Sequence, residues 1–243
     1  MPVFRSIVFS AALAGLIVGV VISVVQFFGT VPLIQQSEVF ERKAQAPAQP
    51  ATPPTAGAAH DHNKSHSHDT EWEPEAGFQR NAFTVGANVL TAIGFALLLT
   101  GVFAIRGRPV NWREGLLWGL GGFVVFTAAP GLGLPPELPG LPVADLTARQ
   151  SWWILTAAAT AGGLCLLAFR VAPWAAVLGL GLIVLPHLIG APVAPESHSE
   201  VPAALSHRFV VVVTITSLLF WALLGVGSSL AFARISRPSP MSG

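Results

Sequence analysis

The residues with the most evident chemistry lie in one short stretch, His60-Asp61-His62-Asn63-Lys64-Ser65-His66-Ser67-His68-Asp69. It holds four of the chain's seven histidines. Neutral imidazole is a ligand for zinc, copper, nickel and cobalt ions. His-x-His spacing puts two rings on the same side of an extended chain, so that one ion can be shared. Asp61 and Asp69 add oxygen ligands or orient the rings. Residues 44–59, rich in Ala, Pro, Gln and Thr, lead into the stretch and read as a flexible linker. Ligands carried on such a chain must be ordered on binding, which predicts modest affinity and no fixed geometry. Affinity follows the Irving–Williams order, so the stretch would concentrate divalent metal without selecting cobalt over copper or zinc. The plainer alternative is a solvated low-complexity linker whose histidines are incidental.

Four further groups stand near breaks in apolar sequence. His187 falls in Leu185-Pro186-His187-Leu188-Ile189-Gly190-Ala191-Pro192, close to the end of an apolar run. Glu137 falls in Gly133-Leu134-Pro135-Pro136-Glu137-Leu138-Pro139-Gly140. Proline ends or kinks helices, and broken helices at membrane depth are tolerated where they line a cavity or are buried in protein. An ionisable residue in a span is a functional candidate by default. His187 and Glu137 would offer a cation one nitrogen and one carboxylate, with His198 and His207 from the last polar loop as further ligands. The bland readings are an interfacial histidine bonded to a carbonyl and a solvated loop carboxylate.

The elements that must position these groups are membrane helices. The 243-residue chain is 52% hydrophobic and 10% charged, against roughly 25% charged in a typical soluble domain. That composition excludes disorder for most of the chain. A net charge of +1 with two lysines argues against a nucleic-acid partner, and the single cysteine, Cys165, excludes an intrachain disulfide framework. Six apolar stretches are read as spans: residues 6–28, 82–105, 115–132, 151–169, 174–190 and 209–233. The predicted fold is an all-α, polytopic membrane helical bundle of six transmembrane helices. Five is the alternative count, because the third and fifth stretches are short and carry prolines. The first has an apolar run of about 22 residues, against roughly 7–15 in a signal peptide, and reads as an uncleaved helix. Arg5, Arg106, Arg108, Arg113, Arg170, Arg234 and Arg237 then fall on one side with a single acid, Glu114. By the positive-inside rule that side is cytoplasmic, with both termini there and the histidine segment outside. The organisation is a first helix (1–28), an external linker with the histidine segment (29–81), a five-helix bundle (82–233) and a cytoplasmic tail (234–243).

Small residues at helix-packing spacing (Ala11, Gly15 and Gly19; Gly115 and Gly119; Gly225 and Ser229) let backbones approach in lipid, within the chain or between copies. Most tryptophans sit near span ends, as an interfacial belt does. The second and third spans, and the fourth and fifth, resemble two copies of one hairpin. Each opens on an Arg-amide pair (Arg80-Asn81, Arg149-Gln150) and returns to a proline-rich break. No P-loop and no hydrolase pattern occurs, so an enzyme is not expected and energy would come from gradients or another subunit.

The chain resembles the CbtA family of predicted bacterial cobalt-transporter subunits over nearly its whole length. The resemblance rests on Val31-Pro32-Leu33-Ile34, the histidine loop leading to Glu71-Trp72-Glu73-Pro74, Asn111-Trp112-Arg113 and the Gly133–Gly140 block. It rests further on Ala148-Arg149-Gln150-Ser151-Trp152-Trp153 and Pro186–Pro192. It implies five spans, cobalt uptake linked to cobalamin synthesis, and a small partner, CbtB, with one span and a histidine motif. It carries no established binding residues. The expectation is an inner-membrane subunit that takes up a transition metal, Co²⁺ or alternatively Ni²⁺, together with a CbtB-like subunit or with another copy of itself as a homo-oligomer. No cofactor is held permanently; the divalent ion is cargo. A non-transporting sensor or metal chaperone, or a membrane enzyme or assembly factor with incidental histidines, are the other readings.

Overall fold

The structure is a computed structural model that describes residues 2–45, 74, 77–196 and 199–236. The regular elements among these residues are helical. They are α1 (Pro2–Phe28), α2 (Thr30–Gln45), α3 (Phe78–Arg106), α4 (Trp112–Phe123), a π-helical turn (Val124–Ala128), α5 (Ala129–Gly133), α6 (Leu146–Phe169), α7 (Pro173–Ile189) and α8 (Ala203–Ile235). Five helical runs are long and apolar enough to cross a membrane: Val3–Phe28, Phe78–Arg106, Trp112–Gly133, Leu146–Phe169 and Ala203–Ile235. The remaining apolar stretch is α7, with 17 residues. At 1.5 Å per residue it is about 26 Å long, short of the roughly 30 Å hydrocarbon core. Pro173 opens α7, and Gly190, at φ 89°, ends it. By length and composition five helices qualify as spans, the lower of the two expected numbers, while α7 returns antiparallel along α6 to the end where α6 began.

The small-residue faces bring helices together within this one chain. α1 runs antiparallel to α3, with Gly15 on Ile93 and Gly19 on Val89. α8 lies antiparallel to α1 and to α4, and the last contact is glycine on glycine: Gly115 and Gly119 against Gly225. α6 and α7 pair through Gly163 and Gly179. The shared core holds Ala11, Val18, Ala92, Ala96, Phe103 and Leu224. Trp221 lies in this core, 3% exposed, with Phe95 at 4.7 Å and a parallel Phe126 at 5.5 Å. It is a packing residue, not part of an interfacial belt.

Two expectations change. Residues 30–45, placed by sequence in the external linker, form α2. Its Leu33, Ile34 and Phe40 recur at helical spacing and pack on Leu138, Val201, Leu205 and Phe209. The hairpin repeat does not hold either. α6 and α7 pack along each other, whereas α4 turns its glycine face to α8 and meets α3 through side chains such as Phe103 and Trp118. The bulk of those rings keeps the α3 and α4 backbones apart.

Antiparallel packing gathers Arg5, Arg106, Arg113, Arg170 and Arg234 at one end of the bundle. Arg106 lies over Trp118 and 3.9 Å from Glu114, while Asn111 caps α4 by accepting from the Arg113 and Glu114 amides. The other end carries α2 and the two proline-rich breaks.

Candidate functional site

The break after α4 begins in the helix itself. Pro130 has no N–H to give the Phe126 carbonyl, and its ring crowds that group. The chain answers with the π turn, in which the Ala129 N–H reaches the Val124 carbonyl, five residues back. α5 then ends at Gly133. A Cβ at Gly133 would run into the Trp152 indole and the Ala191 methyl, so only glycine lets the two breaks meet α6 here.

Three blocks that are distant in sequence converge at this point. Trp152, 6% exposed, donates from Nε1 to the Pro186 carbonyl at 3.3 Å. Its ring meets His187 edge to face at 5.8 Å. Glu137 Oε2 lies 2.9 Å from Arg149 Nη2, at the start of α6. That oxygen is buried and meets the guanidinium as a charge, outside hydrogen-bond alignment. Asp145 caps α6 by accepting from the Ala148 amide. α2 and the segment before α8 tie down the loop between them, for Ser37 Oγ of α2 donates to the Pro139 carbonyl at 2.6 Å and Ser199 Oγ to the Gly140 carbonyl at 2.9 Å.

Of the predicted ligands, Glu137 is half-buried against Arg149, His187 is half-buried against Trp152, and His207 is exposed near the start of α8. Among the described residues no three His, Cys, Asp or Glu side chains come together as a metal site. His60, Asp61, His62, His66, His68, Asp69 and His198 lie outside the described residues.

A second polar region escaped the sequence reading. Asn88 of α3 donates to Ser23 Oγ at 3.0 Å and to Gln26 Oε1 at 2.7 Å, both on α1. Ser23 Oγ donates in turn to the Gly19 carbonyl. Beside this chain lies a cavity of about 360 Å³ between α1, α2, α3 and α8, with Gln26, Arg80, Asn81, Thr84 and Thr216 in its wall. Arg80 Nη1 meets Glu38 Oε1 at 3.0 Å. The signal was there: Asn88 is a lone amide in an apolar run, where an unpaired polar group is costly.

Fold and site define a polytopic helical membrane protein in which two proline-containing helix ends meet at one end of the bundle, with His187 against Trp152 and Glu137 against Arg149. The family model described as "Probable cobalt transporter subunit (CbtA)" matches residues 4–233, nearly the whole chain. The chain belongs to the CbtA family. No curated protein and no solved structure gives a significant match.

Proposed function

We propose that the chain is the membrane subunit of a Co²⁺ uptake transporter of the bacterial inner membrane, with its histidine segment on the outer side. The observation that carries this is the family match over residues 4–233 on a fold with five helices able to span a membrane. The His60–Asp69 stretch captures the ion and raises its local concentration. The ion passes to the end of the bundle where the two proline breaks meet, near His187. Glu137, held by Arg149, contacts the ion only when that pair opens; His198 and His207 assist from the neighbouring loop. The word subunit in the family's description implies a partner, and a single-span, histidine-bearing CbtB-like protein fits that role. The membrane potential supplies roughly 2.3 kcal/mol per charge per 100 mV, about 4.6 for an entering dication, or over three decades of accumulation.

Uptake of Co-57 by cells expressing the chain, with and without the partner, tests this. Deleting residues 60–69 should raise the half-saturating concentration severalfold. His187→Ala should lower maximal flux. His187→Phe keeps a ring against Trp152 and removes the nitrogens, so equal losses in both variants assign the effect to ligation. Normal flux in His187→Phe reduces His187 to packing. Cobalt bound outside with no accumulation in any combination would favour a sensor or chaperone, and preferential Ni-63 uptake would favour nickel.

A further inference from the structure

The cavity between α1, α2, α3 and α8 stands apart from the histidines and Glu137, and its lining is amphipathic. Val31 and Ile34 of α2, with Phe209 and Val213 of α8, make most of its wall apolar. Arg80 is the one charged residue in that wall; its partner Glu38 is not part of the lining. The pair meets through Nη1 alone, at 3.0 Å. A guanidinium carries five N–H donors, so most of them stay free for a second acceptor. The Arg80 side chain is 38% exposed and can be reached from outside. Asn81 beside it adds a side-chain amide. Asn88 donates to Gln26 Oε1 at 2.7 Å, which leaves the Gln26 NH₂ as a further donor in the wall.

Position and size narrow the occupant. Arg80 and Asn81 stand just ahead of the apolar run of α3, where a basic side chain reaches the headgroup layer. From Phe209 to Ser217 the cavity follows α8 toward the middle of the bundle for about 12 Å, at 1.5 Å per residue. Its volume of about 360 Å³ holds roughly a dozen water-sized groups of about 30 Å³ each. That is room for a phosphate, a glycerol and the first methylenes of a chain. The cavity is half open, so the rest of a long occupant continues outside it. Guanidinium takes phosphate through two parallel N–H···O bonds, and methylenes pack on the apolar wall by dispersion. We propose that this cavity binds an anionic phospholipid. The phosphodiester sits on Arg80 and Asn81, the glycerol esters accept from Gln26, and the first methylenes lie along Val31, Ile34, Phe209 and Val213. A lipid so seated joins α2 to α3 and α8, whichever metal the chain carries and in whichever direction.

The test uses the purified full-length chain, stripped of lipid in a nonionic detergent and titrated with phosphatidylglycerol. Native mass spectrometry counts the bound lipid, and the melting temperature reports its effect on the fold. One molecule should bind and raise the melting temperature. Arg80→Gln should weaken binding about tenfold, the worth of a hydrogen bond to a charged group. Glu38→Gln breaks the same ion pair but keeps the cation and removes the competing carboxylate, so it should tighten binding severalfold. Opposite shifts from two variants that lose one ion pair cannot come from damage to the fold. Millimolar inorganic phosphate or glycerol 3-phosphate should leave the lipid in place. Displacement by either at concentrations equal to the lipid's would make this a site for small free anions. Diacylglycerol bound as tightly as phosphatidylglycerol, with Arg80→Gln silent, would make it an apolar groove without headgroup recognition. Equal losses in Arg80→Gln and Glu38→Gln would reduce the pair to a clamp between α2 and α3. Any of these three results, or the absence of bound lipid, overturns the proposal.

Discussion

Glu137 and Arg149 show what a single side chain can and cannot announce. Both were visible in sequence as charges beside membrane spans, Glu137 as a candidate ligand and Arg149 as the start of a hairpin. Their 2.9 Å pairing joins the loop after α5 to α6. With both side chains about a quarter to a third exposed, the pair contributes on the order of 1 kcal/mol or less. Glu137→Gln or Arg149→Gln should therefore lower the melting temperature in detergent by at most about 2–4 °C. The double reversal, Glu137→Arg with Arg149→Glu, should recover most of that loss; no recovery would mean that the pair is incidental. His187 was legible as an ionisable group in an apolar run. Its neighbour Trp152 was not, because indole near a span end reads as interfacial belt until its N–H is seen on the Pro186 carbonyl, 34 positions away in the chain.

Among the elements, glycine spacing was the most faithful signal. Gly119 faces the Trp221 carbonyl so closely that an added Cβ would fall on the oxygen, whereas Gly121 faces open space. Gly119→Ala should destabilise the chain by about 1–3 kcal/mol, since overpacking forces the helices apart. Gly121→Ala, two residues away, should be neutral or slightly stabilising because alanine is the better helix former. Equal melting temperatures for the two variants in detergent would contradict the α4–α8 contact. The apolar runs end close to where the sequence placed their breaks, at Gly133 and Ile189, but the helices run through Pro130 and Pro186, and the π turn ahead of Pro130 was not foreseen. Sequence shows that the Phe126 carbonyl loses its donor; whether the helix ends, kinks or widens depends on what surrounds it, here Trp221 and Trp153 on either side of Phe126. α2 was missed for a related reason. Its apolar positions are few and its other residues polar, so its helical face has meaning only against Leu138 and Val201, which arrive from distant loops, and Phe209 of α8.

For the whole molecule, Arg5, Arg106, Arg113, Arg170 and Arg234 gather at one end of the bundle with the single acid Glu114. At the other end, with α2 and the proline-containing helix ends, Arg80 and Arg149 are paired with Glu38 and Glu137. The charge rule predicts that the end with the unpaired arginine excess faces the cytoplasm. In a Cys165→Ser background, a membrane-impermeant maleimide should label Ser67→Cys in intact spheroplasts and Gly107→Cys only after permeabilisation. The reverse pattern would invert the transport direction proposed here. Composition, apolar length and charge spacing suffice for the class of molecule and for most of its spans, because lipid imposes the same helical solution on any such chain. Those quantities are local, and each can be read from a window of residues. Which helices touch, whether a carboxylate is paired, and where a cavity opens depend on residues far apart in the chain meeting in space. Glu137 on Arg149, Asn88 on Gln26 and Gly119 on Gly225 are contacts of that kind, and only packing decides them.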